Sequence, residues 1–479
     1  MGQVDSGDTS WVLASAALVL FMTPGLALFY GGLVRSKNVL GTMMHSFAAI
    51  AVVSVVWLAV GYTLAFGPDI GSVIGGLDLA GFRGVGESPA ALAPTIPASA
   101  FAVYQLMFAI ITPALIAGAF AERVRFGGFV LFIGAWSLLV YSPLAHWVWG
   151  GGFLGPEGIG ALDFAGGTVV HISAGAAALA TALYIGKRNG YPGGAFTPHN
   201  VPMVMLGAGI LWFGWFGFNA GSALAAGGLA SSAFLATQLG AAGGLIGWAL
   251  LEWRRHEKVT AVGAVTGAVA GLVAITPAAG FVEPMPGLLI GLLAGGVCFI
   301  AVEAKSRLGY DDSLDAVGVH LVGGLVGALL TGVFASTVVN PAGVDGSFVQ
   351  VARQAAAAGV ALTFSFAATL VILKLVDVVV GFRVSDEAEE AGLDAAEHGE
   401  HAYTWGSRSM TLRVPSQLSN EELDALRERL VLEATARLIE NVRLETEDGR
   451  DAHRPPGGRG PVAVHRSGNR GPGASTFDG

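Results

Sequence analysis

The sequence predicts an all-α polytopic membrane protein: eleven transmembrane helices with an inverted five-plus-five repeat, the N-terminus outside and the C-terminus inside. Three observations lead there. Apolar residues fill 53% of the 479 positions and charged residues only 13%, with a mean hydropathy of +0.62, whereas soluble domains carry about 25% charged residues. Apolar runs long enough to cross a hydrocarbon core of about 30 Å recur eleven times. The basic residues between those runs fall almost wholly on one side.

In chain order the runs lie near 11–32, 39–66, 98–121, 126–148, 164–185, 201–218, 231–251, 259–277, 286–302, 314–335 and 351–380. An odd number of spans puts the termini on opposite sides. Thirteen Lys and Arg, from Arg35 and Lys37 through Arg254 and Arg255 to Lys374 and Arg383, fall in one set of loops, against Arg83 and Arg353 in the other. The positive-inside rule then places the C-terminus inside. The opening MGQVDSGDTS is acidic and its apolar run is long, so no cleavable leader is expected. Seventy-one glycines without a collagen period suit helices that approach closely through small residues. The one cysteine, Cys298, excludes an internal disulfide and a cysteine-based metal cluster and reads as a buried thiol.

Charge divides the chain. Residues 1–383 carry 15 Lys and Arg against 17 Asp and Glu, and residues 384–479 carry 11 Arg against 18 Asp and Glu. The expected organisation is a membrane domain at 1–383, a cytoplasmic regulatory tail motif at 384–403 and an extension at 404–479, the acidic segment from 384 onward reading as a solvated tail. Within the extension, Ser419-Asn420-Glu421-Glu422 reads as a capping box opening an amphipathic helix at about 420–444, with the remainder disordered. The acidic balance argues against a nucleic-acid partner.

Ionisable residues inside spanning helices cost at least a few kcal/mol each, so each is a functional candidate. His171, in DFAGGTVVHISAG, and His320, in DAVGVHLVGG, lie at matched depths in the fifth and tenth spans and approach mid-membrane from opposite faces. This match suggests the inverted repeat, with a site at its interface. Asp163 and Asp315 precede them. Asp163 reads first as a helix cap and electrostatic support, second as part of a cation site; Asp315 reads as a cap. His45 reads as a helix–helix hydrogen-bonding residue and His146 as an interfacial one. Trp149, Phe108 and Phe218 supply aromatic faces and Ser222 a hydroxyl, which together suit a small cation. No metal-ligand spacing, nucleophile–base pair or nucleotide loop is present, so neither an enzyme nor a cofactor is expected.

Several long motifs, in order, resemble the ammonium transporter family, of the bacterial and archaeal type. They are PGLALFYGGLVRSKN (24–38), AGAFAERVRF (117–126), AHWVWGGG (145–152), DFAGGTVVHISAG (163–175), WFGFNAGSA (215–223), GAVAGLVAITPAAGFV (267–282), DDSLDAVGVH (311–320) and GLDAAEHGEHAY (392–403). The resemblance covers about 10–403 and implies a homotrimer in the cell membrane with one pore per subunit. It implies that Trp149, Phe108 and Ser222 form an outer ammonium recruitment site backed by Asp163, that Phe108 and Phe218 form a stacked gate, and that His171 and His320 line the pore. The last motif is where a PII-type signalling protein docks in the family. The stretch beyond Tyr403 departs from the pattern. Transport of ammonium or ammonia is the expected function; an ammonium sensor signalling through the extended tail is the alternative, and a Rhesus-type gas channel is the nearest rival within the family.

Overall fold

The computed structural model describes residues 3–194 and 196–403, together with Leu432. The helix expected at about 420–444 and the rest of the extension lie outside the described residues. Among the described residues, ten helices are long and apolar enough to cross a membrane: α1 (Ser6–Leu33), α2 (Ser36–Phe66), α3 (Ala98–Phe120), α4 (Phe126–Trp149), α5 (Gly167–Ile185), α6 (Val201–Ala223), α7 (Gly228–His256), α9 (Pro284–Leu308), α10 (Val317–Phe334) and α11 (Phe348–Val380). The eighth expected run yields the shorter α8 (Ala261–Ile275), 15 residues and about 22 Å at the usual helical rise. It packs among α7, α9, α6 and α10. Two short helices follow α11, namely α12 (Asp386–Ala391) and α13 (Leu393–His398).

Helix starts follow the sequence chemistry. Asp5, Asn200, Thr260 and Ser347 each accept a backbone N–H of the first turn, at α1, α6, α8 and α11. Between α2 and α3 the chain forms two small antiparallel hairpins, β1 (Asp69–Ile70) with β2 (Ile74–Gly75) and β3 (Pro89–Ala90) with β4 (Ala93–Pro97). They lie at the end of the bundle where α1 begins, since Asp5 N–H donates to Thr95 O. We call this the hairpin face and the opposite end the tail face.

Four spans contain a π-helical turn: Trp57–Gly61 in α2, Ser137–Tyr141 in α4, Gly167–Ile172 in α5 and Val317–Leu321 in α10. None contains proline, and no pattern in the sequence announces them. Such turns concentrate at functional sites, and two of the four hold the matched histidines.

The tail face is held by buried ions. Arg35 pairs with Glu122, Glu122 with Arg188 at 3.1 Å, and Arg188 with Asp311 at 2.8 Å. Arg123, wholly buried, donates to Ala119 O, Ala121 O, Gly186 O, Asp311 O and Ser313 Oγ. Burial alone would raise the Glu122 carboxyl, but Arg35 and Arg188 hold it below the ordinary range. Three basic residues that mark one side in the sequence are therefore also structural, joining the loops between spans.

The acidic stretch at 384–403 is docked through some of its carboxylates, while Asp386, Glu387, Glu390 and Glu400 stay exposed. Glu389 and Asp394 are both 1% exposed. Asn189 N–H donates to Glu389, Gly41 N–H to Asp394 and Phe126 N–H to Glu397. Composition reads acid as exposure, but these carboxylates accept backbone N–H groups left over at loops and helix ends.

Glycines set the closest helix contacts. A Cβ on Gly291 of α9 would sit 2.0 Å from Gly240 O of α7, whereas one on Gly209 of α6 would meet nothing within 4 Å. Gly291→Val is expected to destabilise by about 1–3 kcal/mol or more through overpacking, and Gly209→Ala to be neutral or mildly stabilising. Thermal unfolding of the detergent-solubilised protein checks both; equal melting temperatures would contradict the seam.

Candidate functional site

The two helices that carry the matched histidines each begin on a carboxylate. Before α5, Asp163 Oδ1 accepts from Gly166 and Gly167 N–H at 2.8 and 2.7 Å, and Oδ2 from Thr168 and Val169 N–H at 2.7 and 3.2 Å. Before α10, Asp312 accepts from Ala316 and Val317 N–H at 3.1 and 2.8 Å. The third residue after each aspartate has positive φ, +119° at Gly166 and +63° at Asp315. The eighth residue after each is a histidine, His171 and His320.

Asp315 is therefore not the cap the sequence suggests. It occupies the left-handed corner, a conformation short polar residues tolerate, and its carboxylate pairs with Lys305. The acid nearer in sequence to the helix start is displaced by the one whose side chain can reach the open N–H groups.

His171 and His320 meet at the centre of the bundle. Both are buried, the rings are nearly parallel at 17° with centroids 5.4 Å apart, and their Nδ1 atoms lie 3.3 Å apart. One Nδ1 must donate and the other accept, so the neutral pair holds one proton between them. The tautomers are then fixed in opposite senses: one Nε2 is an acceptor and the other a donor. His171 Nε2 has no partner among the described residues.

An aromatic column continues from the pair towards the hairpin face. His171 stacks on Trp215 at 5.5 Å and on Phe218 at 6.0 Å. Phe218 packs on Phe108 with centroids 4.4 Å apart, and Phe108 meets Trp149 edge-on at 6.1 Å. Trp149 Nε1 donates to Asp163 O at 2.9 Å, so the acid that opens α5 also orients the indole.

The Phe108–Phe218 contact separates two cavities. Phe108, Trp149, Asp163 and Ser222 line the one towards the hairpin face, with Gln105 and Phe281. Phe218, Trp215, His171 and His320 line the one towards the tail face, with Thr266 and Asp315 among otherwise mainly apolar residues. The structure thus brings together all seven site residues expected from the sequence: Phe108, Trp149, Asp163, His171, Phe218, Ser222 and His320. Asp163 enters mainly as the helix cap, with both carboxylate oxygens on backbone N–H groups.

The sequence singles out two further histidines. His45 differs from expectation: its Nδ1 has no partner among the described residues, and its ring sits among Phe120, Phe126 and Phe129, the last at 4.3 Å. His146 lies near the hairpin-face end of α4, where an interfacial residue is expected, and is buried within the protein, with Nδ1 3.0 Å from Ala65 O and Nε2 2.9 Å from Asp69. Sequence reasoning also missed Trp215, Gln105, Tyr104 and Asp312. Only Asp312 left a readable signal, its eight-residue spacing to His320. Among the described residues no cluster of His, Cys, Asp and Glu could hold a metal.

The family model described as "Ammonium Transporter Family" matches residues 10–403. The ammonium transporter of Bacillus subtilis (strain 168) is 54% identical over 402 residues, covering 83% of this chain and 98% of that protein. The crystal structure of Saccharomyces cerevisiae Mep2 superposes with a TM-score of 0.77 at 38% identity, covering 85% of this chain and 93% of that one. A solved sensor Amt protein superposes with a TM-score of 0.76 at 31% identity, covering 82% and 98%.

The two carboxylate caps predict an order of damage. Asp312→Ala is expected to lower the melting temperature more than Asp315→Ala, and Asp163→Ala most of all, since each hydrogen bond to a buried charged group contributes about 1.5–3 kcal/mol. A larger loss for Asp315→Ala than for Asp312→Ala would return the cap to Asp315.

Proposed function

The chain belongs to the ammonium transporter family and transports ammonium across the membrane it spans; we propose that it recruits the cation at an aromatic vestibule, removes a proton and passes ammonia along the histidine pair. The single observation that carries this reading is the column from Trp149 through Phe108 and Phe218 to His171 and His320, with a cavity on either side of the Phe108–Phe218 contact.

The energetics favour such a division. Trp149 and Phe108 offer π faces and Ser222 a hydroxyl, with Asp163 behind them as the helix cap that holds Trp149. A cation–π contact contributes roughly 0.5–2 kcal/mol, against tens of kcal/mol to bury an isolated ion. The ion held in the vestibule therefore cannot continue as an ion into the apolar cavity, whereas neutral ammonia can. K⁺ is held by similar contacts but has no proton to give up, so deprotonation is the step that discriminates.

Phe108 and Phe218 act as the gate. Beyond it, the opposed tautomers of His171 and His320 present one donor and one acceptor, matching ammonia, which accepts one hydrogen bond and donates others. The same shared proton makes the pair a relay.

The wider organisation follows from this reading. Eleven spans, α8 included, run with the N-terminus outside and the tail face cytoplasmic. The first ten form an inverted repeat, supported by the matching Asp163–His171 and Asp312–His320 pairs. The membrane domain covers 1–383, the regulatory tail motif 384–403 and an extension 404–479. The functional unit is a homotrimer in the cell membrane, and the docked tail motif is the element a PII-type protein would engage. Sensing through the tail is the second reading, favoured by the buried tail contacts of Glu389 and Asp394.

In liposomes, an ammonium jump is expected to give a transient current that equal Na⁺ and K⁺ jumps do not. Replacing both His171 and His320 by Leu should lower it at least tenfold. Undiminished ammonium-specific current in that variant would sink the relay. Internal alkalinisation without current in the wild type would mean passage of neutral ammonia alone, and neither signal would favour the sensor.

A further inference from the structure

Tyr104 lies one turn before Phe108 on α3 and is wholly buried. Its ring meets Phe108 edge-on with centroids 5.0 Å apart. Its hydroxyl leaves α3 and reaches the end of α6, 2.9 Å from Gly217 O, 3.0 Å from Phe218 O and 3.2 Å from Ser222 Oγ. One side chain thus touches the ring of one gate residue, the backbone of the other and the one hydroxyl among the described residues that line the vestibule.

The proton count at this junction has a consequence. Ser222 has one proton and, on the protein side, two acceptors for it: Phe218 O at 2.9 Å and the Tyr104 oxygen. Tyr104 in turn has two carbonyls for its own proton. Each hydroxyl proton has an acceptor inside the protein, and with the Tyr104 proton on a carbonyl its oxygen is a second internal acceptor for Ser222, which leaves the Ser222 lone pairs for the cavity. Ammonium is a donor-only ligand and needs an acceptor that does not rotate a proton towards it.

We propose that the Tyr104 hydroxyl is a positioning residue for ammonium recruitment: it holds Ser222 as a pure acceptor and sets the affinity of the vestibule without touching the ion. This rests on the recruitment reading of Ser222. Tyr104 does not line the cavity itself, so its action passes through Ser222, and that route is testable.

Tyr104→Phe keeps the ring against Phe108 and removes only the hydroxyl. The measurement is the ammonium concentration dependence of the transport current in liposomes for wild type, Tyr104→Phe, Ser222→Ala and the double variant, with melting temperatures recorded alongside. Tyr104→Phe is expected to raise the apparent KM about threefold to tenfold with little change in the maximum current, as for loss of one net hydrogen bond. Ser222→Ala should raise it by a similar or larger factor, and the double variant no further than Ser222→Ala alone.

The failures are distinguishable. An unchanged KM in Ser222→Ala would remove the recruitment reading. A raised KM in Ser222→Ala, with Tyr104→Phe either silent or multiplying it in the double variant, would overturn the positioning role and leave recruitment standing. A fall in maximum current with unchanged KM would also overturn it, since a merely structural hydroxyl acts that way.

Discussion

Inside a bilayer every backbone N–H must find an acceptor within the protein, because no water is there to serve and each orphan costs several kcal/mol. That constraint shapes the centre of this molecule. α5 and α10 carry the paired histidines, and both start immediately after a corner of positive φ, where the first N–H groups of a helix have no intrahelical partner. Asp163 and Asp312 supply the acceptors and complement the positive end of each helix dipole. Each helix then opens with a π-helical turn that ends on or beside its histidine. The meeting of two imidazoles at 3.3 Å depends on where two carboxylates allow two helices to begin.

The same carboxylate links that centre to the vestibule. Asp163 uses its side chain on α5 and its carbonyl on the Trp149 indole, so the aromatic wall and the histidine helix share one anchor. From Trp149 the rings touch in series, each fixing the next: edge-on at Phe108, tilted at Phe218, parallel at His171. In the proposed reading, such a column offers a dehydrated ion only weak compensation, and proton loss rather than size discriminates.

Much of this was legible in the sequence, because apolar length, loop charge and matched histidines are each direct consequences of the bilayer. The spans, His171, His320 and the aromatic residues needed no tertiary information. What was missed depends on groups that meet only after folding. Asp315 looked like the cap because it is nearer in sequence, whereas the eight-residue spacing shared by Asp163 and Asp312 becomes evident when both segments are aligned on their histidines. His146 finds Asp69 across 77 positions. Tyr104 crosses from α3 to α6, and the tail carboxylates Glu389 and Asp394 dock on the Asn189 loop and on the first turns of α2, 200 and 353 positions away. The π-helical turns contain neither proline nor any periodic break, so periodicity could not show them.

The tail face completes the argument about His171. α5 ends at Ile185, whose carbonyl accepts from Arg383 at 2.8 Å, while the next carbonyl, Gly186 O, accepts from Arg123 at 3.0 Å. The helix is held at its start by Asp163 and at its end by two guanidiniums, one of them leading into the tail. Its length between these points, together with the close approach of Gly175 to the Leu321 backbone on α10, sets where His171 stands. The ring also stacks on Trp215 and Phe218 and meets His320, so it is fixed by its helix and by its neighbours together. His171 Nε2 is left without a partner among the described residues in a buried, mainly apolar surrounding, where an unmet polar atom is ordinarily costly. Preorganisation at the helix ends and in the ring stack keeps that nitrogen from collapsing onto a neighbour.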